Sequence, residues 1–158
     1  MRVLVQEAPF DLAEETARFA KGEGGSGAIV TFTGVVRDND AGTLSAMEIE
    51  HYPGMTEKAL EKIASEAITR WDLTDALVIH RHGRLVPGDQ IMMVATAARH
   101  RVAAFEAAEY LMDYLKSRAP FWKKEIGHPD DSLFDMETNI RYGCYILKLY
   151  IDREKNNL

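Results

Sequence analysis

The sequence predicts an α+β fold, a single domain with a mainly antiparallel sheet. Three observations predict it. Strand-like and helix-like segments follow one another in the order β-α-β-β-α-β-β-α-β-β, a mixture typical of α+β domains. Several strand-to-strand connections are of hairpin length, which favours antiparallel pairing over βαβ crossovers. The 158 residues are enough to bury one sizeable core, and no repeat or low-complexity tract divides them.

Residues 2–6 (RVLVQ) read as a short strand. Asp11 is placed to cap a helix, with Glu14 three positions on as in a capping box, and Leu12, Thr16 and Phe19 recur at helical spacing. Residues 22–27 (GEGGSG) form a glycine-dominated loop. Residues 28–36 (AIVTFTGVV) are rich in β-branched side chains and read as a strand. A polar loop, residues 37–43, leads to an alternating strand over 44–52. Pro53-Gly54 forces a turn, and Thr56 is expected to cap a helix reaching Trp71, with Leu60, Ile63, Ala64 and Ala67 along one face. Residues 76–82 and 90–98 read as strands around a tight turn at 85–89 (LVPGD). A long helix runs from about Arg101 to Arg118 and is stopped by Pro120. Residues 121–126 leave it extended, 127–131 (GHPDD) break the chain, and 145–151 (YILKLYI) read as a last strand.

Composition narrows the function. The chain is 46% hydrophobic and 28% charged with a net charge of −6, which argues against nucleic-acid binding, since that rests on a basic surface. No apolar run approaches the ~20 residues of a membrane span, and the first residues lack the apolar stretch of a signal peptide. Cys144 is the only cysteine, so no internal disulfide forms and Cys₄ or CxxC metal sites are excluded. A cytoplasmic location is the expectation.

Positive charge is concentrated at a few places in this acidic chain. Arg99, His100 and Arg101 stand where a strand meets the long helix. A helix start exposes free N–H groups and partial positive charge, so cations there point to an anion site, against a solvated junction as the plain alternative. Phe105, Ala108, Leu111, Met112 and Leu115 read as the apolar stripe of the long helix. Lys116, four positions after Met112, flanks that stripe, where partial desolvation would lower its pKa and make it a better proton carrier or nucleophile. The alternative is a surface lysine paired with Asp113. Lys123 and Lys124 are adjacent in an extended segment, so one faces inward or toward a groove. Arg37 opens a loop just after Gly34 and can clamp a phosphate bidentately, or simply be solvated. His80 and His82 share a strand face, but a zinc site needs three or four converging ligands, and no HExxH, GxSxG or P-loop pattern is present.

Five stretches together resemble one family, the large, catalytic subunit of molybdopterin synthase. They are residues 30–37 (VTFTGVVR), 50–60 (EHYPGMTEKAL), 79–89 (IHRHGRLVPGD), 100–106 (HRVAAFE) and 112–125 (MDYLKSRAPFWKKE). The resemblance covers about residues 1–126, and residues 132–158 diverge from the family's tail. It implies an α/β-hammerhead-like fold and a sulfurtransferase. That enzyme builds the dithiolene of molybdopterin on a cyclic pyranopterin monophosphate. Sulfur comes from the C-terminal thiocarboxylate of a small ubiquitin-like subunit, in a heterotetramer around a dimer of the large subunit. Carried over by motif, the catalytic lysines fall on Lys116 and Lys123, the anion-binding residues on Arg37, His100 and Arg101, and the pocket walls on Phe32 and Met112. No metal or organic cofactor is expected, nor any nucleic-acid or membrane partner. The competing reading is a non-catalytic module that holds a phosphorylated small molecule or a partner's C-terminal tail.

Overall fold

The computed structural model describes residues 1–22 and 24–127. The elements in order are β1 (Arg2–Gln6), α1 (Leu12–Ala20), β2 (Ala28–Val35), β3 (Ala46–His51), α2 (Met55–Trp71), β4 (Asp75–Arg81), β5 (Gly83–Leu85), β6 (Gln90–Ala98), α3 (Arg101–Ser117) and β7 (Phe121–Ile126). The expected last strand, 145–151, lies outside the described residues. No helix among them is long and apolar enough to cross a membrane.

The strands form two sheets, ordered β1-β4-β6-β2 and β5-β3-β7. Only β1 and β4 pair in parallel; the other pairings are antiparallel. The expected single sheet is thus divided, because the chain changes sheets between β2 and β3. The three-residue β5 is too short to carry a pattern, and only its last residue, Leu85, falls within the turn that the sequence predicts. Its successor, residues 86–89, is a tight turn closed by Val86 N–H to Asp89 Oδ2 at 2.9 Å, with Gly88 at φ +96°, a conformation that suits glycine.

The first sheet is covered on both faces, which is why β4 and β6 are apolar almost throughout. Along β4, Ala76 and Val78 join the larger core under α2 and α3, while Leu77 and Ile79 join Phe19 of α1 on the other face. Asp11 caps α1 as expected, accepting from the Glu14 amide at 2.9 Å. The cap of α2 differs from expectation. Gly54 occupies that position, its amide donating to Glu57 at 2.6 Å, and Thr56 is buried within the first turn. The Thr56 hydroxyl instead accepts from the Tyr52 amide at 3.0 Å and donates to the Pro120 carbonyl at 3.2 Å.

The buried face of α3 is Ala104, Ala107, Ala108, Leu111 and Leu115. Phe105, expected in that stripe, is 61% exposed, and Val102 is 60% exposed. At 100° per residue, Arg101, Val102, Phe105, Met112 and Lys116 fall together on a second face of the helix.

Candidate active site

The turn from α3 into β7 builds the site. Pro120 ends the helix, and the amides of Arg118 and Ala119 both return to the Tyr114 carbonyl, at 2.8 and 2.9 Å. Thr56 fastens the Pro120 carbonyl to α2. β7 then pairs with β3, placing Phe121 opposite His51, Lys123 opposite Ile49 and Lys124 opposite Glu48. Lys116, at the end of α3, and Lys123, on β7, meet at one cavity of about 240 Å³. Phe32 and Gly34 of β2, Met112 and Leu115 of α3, Ile91 and Met92 of β6, and His80 of β4 complete its lining.

Four of the seven sequence-predicted site residues, Lys116, Lys123, Phe32 and Met112, therefore share one cavity. Gly34 lies where β2 and β6 slip out of register. A Cβ there would stand 2.9 Å from Met92 Cγ and 3.1 Å from Ile91 Cγ2. The Met92 and Ile91 side chains therefore pack directly against the Gly34 backbone.

The ammonium that the protein crowds is that of Lys123: burial lowers its pKa, and the like charge of Lys116 lowers it further. Lys116 and Lys123 are both exposed to solvent at the cavity. Among the described residues Lys116 forms no ion pair with Asp113.

The remaining three residues do not line the cavity. Arg37 is exposed two positions after the end of β2, at the cavity end of that strand, with no ion-pair partner among the described residues. His100 is the N-cap of α3 without a side-chain cap bond, and the first turn of α3 holds no acidic residue. Arg101 stands fifteen positions before Lys116 on one helix, about 22 Å at 1.5 Å per residue. A single chain thus divides the expected site between the two ends of α3.

Two further residues were not legible as site elements. His80 is a cavity residue, although its sequence position suggested only a weak metal ligand. Among the described residues no group of three or more His, Cys, Asp or Glu side chains could hold a metal ion. Gly27, read as plain linker, packs where a Cβ would lie 2.4 Å from the Arg99 carbonyl oxygen, so it fixes the approach of β2 to the start of α3.

The family model described as MoaE protein matches residues 5–118. A molybdopterin synthase catalytic subunit of Cereibacter sphaeroides is 70% identical over 126 residues, 80% of this chain and 86% of that protein. The molybdopterin biosynthesis MoaE protein of Burkholderia ambifaria superimposes with a TM-score of 0.71 at 47% identity, covering 90% of this chain and 99% of that one. The molybdopterin synthase structure from Staphylococcus aureus gives 0.72 at 33% identity, over 80% of this chain and 91% of that one. The chain belongs to the MoaE protein family, the family of molybdopterin synthase catalytic subunits.

Proposed function

We propose that this chain is the catalytic subunit of a molybdopterin synthase. It moves sulfur from the C-terminal thiocarboxylate of a small ubiquitin-like subunit to cyclic pyranopterin monophosphate, forming the dithiolene. The observation that carries the reading is the convergence of Lys116 and Lys123, from two different elements, on one apolar-walled cavity. Two cations there attract a thiocarboxylate and offset charge that develops as sulfur attacks carbon. Each sulfur that bonds to carbon displaces an oxygen, which takes up protons and leaves as water; water then cleaves the acyl–sulfur bond and returns the donor's C-terminal carboxylate, so one dithiolene consumes two thiocarboxylates. Burial and the like charge of Lys116 lower the Lys123 pKa, which favours proton transfer through that side chain. Lys116, exposed at the rim, is placed to hold the incoming carboxylate-like end.

The same chain supports a homodimer within a heterotetramer. At about 240 Å³ the cavity is below the ~300–1,000 Å³ of ordinary small-molecule sites, which fits a site completed by a second copy. Arg101, Phe105, Met112 and Lys116 share a face of α3, and Phe32 adds an exposed ring from the edge strand β2. Two copies related by a two-fold axis across this face would bury those apolar residues. They would also carry His100 and Arg101 of one copy to the Lys116 end of the other, where Arg37 also stands. The substrate phosphate then meets Arg37, His100 and Arg101 at a helix start.

Reconstitution tests the reading: this chain, a thiocarboxylated small subunit and the pterin precursor, with dithiolene formation as readout. Turnover in the complete mixture, abolished by Lys116→Ala or Lys123→Ala in folded protein, is expected. Tight capture of the tail and the pterin without turnover would identify a binding module instead.

A further inference from the structure

One buried group of the cavity has no part in the mechanism above. His80 is 1% exposed, and its Nδ1 lies 2.8 Å from the Arg81 carbonyl. A carbonyl only accepts, so Nδ1 carries the hydrogen, and in the neutral ring Nε2 is a bare acceptor. The ring is neutral, because burial pushes its pKa down to about 4 against the opposing backbone bond, with Lys123 and His82 adding to the depression. Nε2 has no hydrogen-bond partner among the described residues, where no side-chain nitrogen or oxygen is both fully buried and unpartnered. It therefore keeps access to the cavity that His80 lines together with Lys116 and Lys123. The ring stacks on Phe121, centroids 3.8 Å apart and planes 17° from parallel. Phe121 and Lys123 are two positions apart on β7 and so share one side of the strand. What supports Phe121 also sets where Lys123 stands over the cavity.

We propose that His80 is a positioning residue for Lys123: it carries β7 through the Phe121 stack and offers the Lys123 ammonium an uncharged acceptor, Nε2, across the shared cavity. A histidine suits this place because it adds a lone pair without a third positive charge. The charged and titratable groups around it are Lys123 from β7, Lys116 from α3 and His82 from the segment after β4. No carboxylate is among the cavity residues. The inference rests on Lys123 being an active-site group, but its test reads the lysine itself and needs no turnover.

The test is trace acylation of the full chain with acetic anhydride over a pH series, followed peptide by peptide by mass spectrometry, with Lys62 on α2 as internal standard. His80→Phe keeps the stack and removes the acceptor. The charged form of Lys123 loses support, so its free-amine fraction rises and it acylates about threefold faster or more at fixed pH, while Lys62 is unchanged. His80→Gln returns an acceptor near the Nε2 position and brings Lys123 back to within about twofold of wild type. Unchanged Lys123 reactivity in folded His80→Phe, or no recovery in His80→Gln, overturns the proposal. Where His80→Phe does not fold, ¹⁵N NMR of His80 in Lys123→Met decides. A displaced Nε2 resonance supports the proposal, and an unmoved one overturns it.

Discussion

Mixing Lys116→Ala with Arg101→Ala tests whether the active site is shared between two copies. Each variant alone is expected to be inactive in dithiolene formation, because each removes one end of the site. Within one chain those ends are about 22 Å apart along α3, too far for one small substrate to bridge across a cavity of about 240 Å³. In a mixed dimer, one site has lost both residues. The other joins the intact Lys116 of the Arg101→Ala copy to the intact Arg101 of the Lys116→Ala copy. Random association makes half the dimers mixed, with one working site of two, so activity returns to about one quarter of wild type. The assay is reconstituted turnover after the two variants are dissociated together and reassociated, with each variant treated alone as control. If each chain held a whole site, every site in the mixture would still lack one residue. Activity no higher than in the controls, with mixed dimers verified by mass spectrometry, would refute the shared site.

Further outcomes follow from the same geometry. Phe105 is 61% exposed, about 120 Å² of a ring of roughly 200 Å², so covering it in both copies is worth ~6 kcal/mol at full burial. At half that value, Phe105→Ser weakens self-association about 100-fold by sedimentation equilibrium, with the monomer's circular dichroism unchanged. His80 is held at a pKa of about 4 against 6.5 unfolded, so the unfolded chain binds the extra proton between those values. Stability is then full above pH 6.5 and falls by about 3 kcal/mol as pH drops through 4. Urea unfolding at pH 7 and pH 4 should show that loss in wild type and a smaller one in His80→Phe. Gly27→Ala drives a Cβ to 2.4 Å from the Arg99 carbonyl oxygen, a backbone atom that cannot rotate away. A loss of about 1–3 kcal/mol is expected in thermal unfolding.

Much of the architecture is written in local pattern. β4 and β6 declare themselves as continuous apolar runs, and α3 by its length and by Pro120. Pairing is not local, and so the passage from β2 to β3 into a second sheet left no mark in either strand. Thr56 shows the same limit on a smaller scale. Thr is a good cap, but Gly54 with Glu57 took that role, and the Thr hydroxyl served contacts 4 and 64 positions away. Phe105 misled because an apolar ring at helical spacing reads as core, whether it faces its own chain or a second one. At the site, motif carried Lys116 and Lys123 together, while periodicity alone left Lys116 open to pairing with Asp113. The separation of Arg101 from Lys116 follows from helix rise alone. His80 stayed hidden because it belongs to a strand buried on both faces, where a histidine looks like packing.

The Thr56 hydroxyl has a consequence for how this protein can change over generations. It holds the Tyr52 amide and the Pro120 carbonyl at once, so it joins the start of α2 to the hinge from which Lys123 is hung. Replacement by serine keeps both bonds, whereas valine, of nearly the same shape, keeps neither and strands two backbone groups. A substitution at Thr56 that loses these bonds would therefore act on the placement of Lys123 through the Pro120 hinge. The candidate site can thus be tuned from outside, by altering what fastens the hinge, without altering a residue that lines its cavity.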